Sequence, residues 1–109
     1  MAQTIATKTP LNTVRIATGT YLDTGTVAAY TYSDLGFKPR YIRVINTTSG
    51  DEECWIEGMT AAHAYKRVAA GTGAAITSLG LTVTDRGFTL GLDTDINYTS
   101  EQVYWVAIG

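Results

Sequence analysis

The residues able to do chemistry are few, and the sequence does not bring them together. His63 is the single histidine, so any Ser-His-Asp or Cys-His arrangement has to use it. It lies in an Ala-rich stretch with no nucleophile signature such as Gly-x-Ser-x-Gly nearby, which reads as a structural or surface histidine. Cys54 stands between the acidic run Asp51-Glu52-Glu53 and Trp55. Neighbouring carboxylates oppose formation of the thiolate, the reactive form, so Cys54 reads as a small buried apolar side chain. Asp93-Thr94-Asp95-Ile96-Asn97 sets oxygen ligands at alternate positions, as the first half of a calcium loop does. The pattern then fails, because Tyr98 stands where the loop needs Gly and Tyr104 where it needs a bidentate Glu. A turn accounts for the Asp and Asn residues more simply. Gly71-Thr72-Gly73-Ala74-Ala75-Ile76 begins like a dinucleotide fingerprint but ends in Ile, with no βαβ pattern around it. Asn46-Thr47-Thr48 and Asn97-Tyr98-Thr99 match the N-glycosylation pattern, and in a Thr-rich chain such matches arise by chance. The expectation is no catalytic residue, no cofactor and no metal site.

The elements that would position these residues read as strands. Arg40 to Asn46 alternates, with Ile42 and Val44 on one face and Tyr41, Arg43 and Ile45 on the other. Thr26 to Tyr32 is a second candidate, with Tyr30 and Tyr32 on one face. Glu53 to Glu57 is a third, with Cys54 and Ile56 expected inward and Trp55 opposite them. Leu81 to Thr84 and Gly87 to Leu90 flank the turn Asp85-Arg86, a hairpin pattern. Gln102 to Ile108 closes the sequence as an aromatic and β-branched strand, apolar on both faces. Met59 to Ala70 has the Ala content of a helix. Bracketed by Gly58 and Gly71 among strands, it reads as strand or extended loop. Short strands with turn signals between them predict an all-β fold, a single antiparallel β-sandwich or jelly-roll-like barrel over residues 21–109. Residues 1–20 are weakly patterned and read as an extended N-terminal arm or edge strand, with Ala2 to Thr20 the candidate for strand addition to a neighbouring subunit.

Composition narrows the function. The chain has 109 residues, the length of one domain, with 8 Lys+Arg against 10 Asp+Glu. A chain of this size buries roughly two-thirds of its unfolded surface, enough for a modest core. No apolar run is long enough to span a membrane as a helix, and the first ten residues do not read as a signal peptide. A single Cys excludes an intrachain disulfide framework. Lys38, Arg40 and Arg43, with Lys66 and Arg67, are the basic clusters, but the acidic balance argues against nucleic acid and against anionic membrane. Charged residues are only 17% of the chain, while Thr occurs 19 times. Thr suits strands and wets a sheet face without charge. Eight aromatics, Phe37, Tyr41, Trp55, Tyr65, Phe88, Tyr98, Tyr104 and Trp105, combine with that low charge as in a protein–protein interface or an aromatic core.

Four segments carry a family resemblance. Gly36-Phe37-Lys38-Pro39-Arg40-Tyr41-Ile42-Arg43-Val44-Ile45-Asn46, Lys66 to Thr72, Asp85 to Gly91 and Val103 to Gly109 resemble segments of small structural proteins of tailed bacteriophages. The resemblance covers roughly residues 35 to 109. It implies a non-enzymatic virion component with an all-β sandwich. Its partners would be the major capsid protein and copies of itself, as a trimer, on the capsid surface that it stabilises. Tyr41, Arg43, Tyr104 and Trp105 are the expected subunit-contact residues. The alternative is a tail or fibre module that binds host-surface carbohydrate, with Trp55 beside Asp51-Glu52-Glu53, or Tyr98 beside Asp95 and Asn97, as its platform. A small hydrolase built on His63 is a third reading.

Overall fold

The computed structural model describes residues 15–22, 25 and 27–109. They form nine strands: β1 (Ile16–Leu22), β2 (Tyr30–Tyr32), β3 (Tyr41–Asn46), β4 (Glu52–Ile56), β5 (Ala64–Arg67), β6 (Gly73–Ile76), β7 (Leu81–Thr84), β8 (Gly87–Leu90) and β9 (Gln102–Ile108). All pairings are antiparallel. Six strands make one sheet in the order β1-β9-β3-β4-β5-β6, and three make the other in the order β2-β8-β7. The fold is the expected all-β sandwich. The Ala-rich stretch 59–70 holds strand β5 and turns, as its bracketing glycines suggest.

Alternation sorts the side chains of each strand between the sheets and the outside. Ile42 and Val44 of β3, Trp55 of β4, and Val103, Trp105 and Ala107 of β9 face Leu81, Phe88 and Leu90 of the smaller sheet. The link between sheets is aromatic. The Trp105 ring centroid lies 4.8 Å from that of Tyr32 and 5.1 Å from that of Phe88, edge to face with the latter. Such pairs each add about 0.5–1.5 kcal/mol beyond the area they bury. The indole needs room on its other side, and β1 supplies it. Gly19 is the register partner of Trp105, and a Cβ there would stand 2.7 Å from the indole Nε1.

Three expectations are corrected. The β4 faces are reversed: Glu53 and Trp55 point inward, while Cys54 is half-buried and Ile56 exposed on the outside. Apolar Cys54 and Ile56 made the outside of β4 look like its inside. The register settles it, because Trp55 pairs with Ile42 and Glu53 with Val44, both core positions. Of the strand expected over Thr26 to Tyr32, only Tyr30–Tyr32 is strand; Thr26 lies outside the described residues. The expected arm, residues 1–20, divides. Ile16–Thr20 belong to β1, an edge strand paired to this chain's own β9, and Met1–Val14 lie outside the described residues.

Two buried asparagines tie the long β8–β9 connection to the sandwich. The Asn46 carboxamide accepts from Thr48 and Ser49 N–H, capping the β3–β4 turn, and donates to the Ile96 carbonyl and to Glu101. Asn97 donates to the carbonyls of Ala28 and Gly91. Both glycosylation-like asparagines are fully buried, so neither presents its amide outward.

Gly19→Val is expected to displace the Trp105 ring and destabilise the fold by about 1–3 kcal/mol, the usual cost of overpacking. Denaturant unfolding followed by tryptophan fluorescence checks this: the midpoint should fall and the native emission should move to the red.

Candidate functional site

The two outer faces differ in kind. On the smaller sheet, Thr31, Thr89, Thr82 and Thr84 project outward, and the Thr31 and Thr89 hydroxyls bond at 2.9 Å. On the larger sheet, β1 projects Ile16, Thr18, Thr20 and Leu22, and β9 projects Gln102, Tyr104, Val106 and Ile108. β3 adds Tyr41, Arg43 and Ile45, β4 adds Cys54 and Ile56, and β5 adds Tyr65. Among the described residues, five of the nine exposed large apolar side chains (Ile16, Leu22, Ile56, Tyr65 and Tyr104) lie on this one face. Six strands at about 4.8 Å spacing and roughly six residues long give a footprint on the order of 500 Å², the scale of an interaction patch.

Of the four expected contact residues, the structure brings three together. Tyr41 and Arg43 on β3 and Tyr104 on β9 share the outer face, with Ile45 paired to Tyr104 and Arg43 to Val106. Trp105 is the correction. The alternation that turns Tyr104 outward turns Trp105 into the core, where it is 7% exposed and packed on Tyr32 and Phe88.

At the centre of the face sits an ion-pair cluster that the sequence does not announce. The Arg43 Nε and Nη2 donate to Glu52 Oε2 at 3.2 and 2.7 Å, and Arg67 Nη2 lies 3.2 Å from Glu52 Oε1. The three residues stand on adjacent strands, Arg43 on β3, Glu52 on β4 and Arg67 on β5. Hydrogen bonds to Glu52, then its charge, hold the Arg43 guanidinium even more firmly protonated than usual. Beside the cluster opens a shallow cavity of about 250 Å³ walled by Tyr41 and Tyr65, with Cys54 on its floor. Burial first, then the Glu52 carboxylate, pushes the Cys54 thiol up, which keeps it protonated and a poor nucleophile.

Other sequence candidates resolve into structural roles. Asp93 and Asp95 hold the Lys66 ammonium, at 2.9 and 2.7 Å, where a calcium loop would hold its ion. Burial works against the Lys66 charge, but the hydrogen bonds and charges of Asp95 and Asp93 outweigh it and the pKa stands above the ordinary lysine value. Asp51 accepts the Ala69 N–H. Trp55 is 6% exposed and donates its indole N–H to the Thr60 carbonyl, so it offers no platform for a sugar. Tyr98 is exposed, but Asn97 beside it is turned inside. His63 sits in the turn before β5, its N–H bonded to Thr60 and its carbonyl to Leu81.

Glu53 is the unexpected group. It is 1% exposed on the core face of β4, cross-strand from Lys66, and neither carboxyl oxygen has a hydrogen-bond partner. Burial, then repulsion from Asp93, pushes its pKa up to about 8, with Lys66 opposing. A raised carboxyl pKa means the folded state holds the proton more tightly than the unfolded chain. Stability is therefore full below the ordinary carboxyl range, declines between about pH 5 and 8, and levels off above. Glu53→Gln, neutral at every pH, is expected to flatten that decline and to melt higher than the parent at pH about 8, by a few kcal/mol of stability at most. Thermal melts of both proteins across this range measure it, and an unchanged slope in the variant counts against the assignment.

No protein-family model, curated protein or solved structure matches this chain, so its function has to be argued from the outer face of the six-stranded sheet.

Proposed function

We propose that the protein is a non-enzymatic structural component of a bacteriophage virion, a capsid decoration protein that self-associates as a trimer and stabilises the shell by packing on the major capsid protein. The reading is supported by the contrast between the outer faces. The small sheet is dressed in threonine, as a face meant for water is. The large sheet presents Ile16, Leu22, Tyr104, Val106, Ile108 and Ile56 around one ion-pair cluster. Between Thr18, Thr20 and Gln102 and the ion-pair cluster, this outer face still carries enough apolar surface to call for cover, and the second sheet covers only the inner face. Tyr41, Arg43 and Tyr104 are the contact residues of this reading, with Val106 and Ile108 added by the register. Each copy contributes modest area, and binding strength comes from the number of copies engaged at once.

Light scattering of the purified protein, followed by co-sedimentation with phage shells, tests it. The expected result is a trimer that sediments with the shells. Tyr104→Asp should weaken sedimentation about tenfold or more, because it places a charge in a contact that must exclude water. It should leave the melting temperature within a few degrees, since Tyr104 is half-exposed. A stable monomer with no affinity for shells defeats the proposal.

A further inference from the structure

We infer that the cavity between Tyr41 and Tyr65 is a receptor for a carboxylate side chain of a protein partner, gripped by Arg43 and Arg67. The inference rests on the reading that the outer face docks on protein, and it names the chemistry the partner must present there.

Local charge is the first support. The chain carries a net charge of −2, yet the cluster has two guanidiniums and one outward carboxylate, so this spot is cationic within an acidic protein. The second is hydrogen-bonding capacity. Each guanidinium has five N–H donors. Arg43 commits Nε and Nη2 to Glu52, while Arg67 stands in an ion pair with it. Most donors of the pair remain to be met by something on the outside. Glu52 is a positioning residue: its two hydrogen bonds orient the Arg43 fork before a partner arrives, and its charge holds Arg67 close, which lowers the ordering cost of the grip.

The walls are set with similar economy. Tyr65 extends across β6 over Gly73, where a Cβ would fall 2.7 Å from the phenol Cζ and closer still to its hydroxyl. The absence of a side chain at 73 lets the ring lie against bare backbone and form a flat wall. Tyr41 forms the facing wall, paired with Ile56 on β4 and Ile108 on β9. A partner seated on these apolar residues would exclude water from the arginines, and a charge-assisted bond gains strength when it is so sheltered. A protein fits better than a sugar because Arg43 also borders a second cavity lined by Ile45, Tyr104 and Val106, so the apolar surface extends beyond the first cavity on the same face.

The test uses ¹⁵N-labelled protein and the side-chain Nε–H signals of its arginines. An acetylated and amidated Asp-Glu tetrapeptide should shift the Arg43 and Arg67 signals saturably, and its Asn-Gln counterpart should not. Arg43→Gln and Arg67→Gln should each weaken the acidic peptide about tenfold. Their backbone spectra, otherwise unchanged, would show that both variants fold. Equal shifts from both peptides, or none from the acidic one, overturn the inference, as does saturable binding of 3′-sialyllactose at the same arginines in its place. Shell sedimentation separates this from the preceding proposal. If shells bind but neither added salt nor Arg67→Gln weakens them, the carboxylate receptor is wrong and decoration stands. If the acidic peptide binds and shells do not, decoration is wrong and the receptor stands.

Discussion

The sandwich depends on Trp105 lying against Tyr32 and Phe88. β9 is the second strand of the larger sheet, between β1 and β3, and Trp105 is its central residue, so the indole reaches the smaller sheet from where the larger one is best supported. Tyr32 on β2 and Phe88 on β8 bring the smaller sheet to it. Gly19 behind the ring matters as much as the rings in front, because a side chain on β1 would push the indole out of line. The contact also constrains extent. A sheet of three strands centred on this cluster can cover only the inner face of a sheet of six. Among the described residues no element packs on the outer face of the six.

Polar groups inside the sandwich hold the connection that returns the chain from β8 to β9. Asn46 reaches it through Ile96 and Glu101, Asn97 ties it to Ala28 and Gly91, and Lys66 reaches it through Asp93 and Asp95. Each bond satisfies a group that would be costly to bury alone. Exceptions remain: Asn97 Oδ1 has no partner, and Glu53 is a whole carboxyl taken out of water with no partner for either oxygen. Below about pH 8 it can remain protonated, so the fold avoids burying the charge at the cost of a stability that depends on pH.

Period-2 alternation made much of this fold legible. β3, β7, β8 and β9 lie where alternating apolar residues and the Asp85-Arg86 turn put them. β4 misled because Cys54 and Ile56 form its apolar-looking pair while the other face mixes Trp55 with the charged Glu53, and the choice between the two depends on which neighbour each meets. Only the register with Ile42 and Val44 decides it. Trp105 failed as an interface residue for a related reason: β9 is apolar on both sides, and its sequence alone does not say which side the second sheet takes. The Arg43–Glu52–Arg67 cluster was out of reach altogether. Its members come from three strands, and a single sequence shows period but not pairing. Glu52 and Arg67 were visible only as an acid in a turn and a base in a pair.

The low charge of the chain gains a physical meaning from this arrangement. Charged residues make up 17% of the sequence, and among the described residues eight of them are held in ion pairs. Lys66, Asp93 and Asp95 are bound to one another at the interior end of the β8–β9 connection, Arg40 to Glu57, and Arg43 and Arg67 to Glu52. With acids and bases so paired, the outer face of the larger sheet has little unspent charge apart from the excess on the two arginines. Isolated surface pairs of this kind contribute little stability, typically under about 1 kcal/mol each. Stability alone is therefore a weak reason to set three charges in the middle of an apolar face. Specificity is a stronger one. An apolar face by itself accepts any apolar surface. One that carries a cationic centre whose remaining donors face water rejects any partner that leaves those donors buried and unmet. In the proposed interface the apolar strands would supply the contact area, and Arg43, Glu52 and Arg67 would select what covers it.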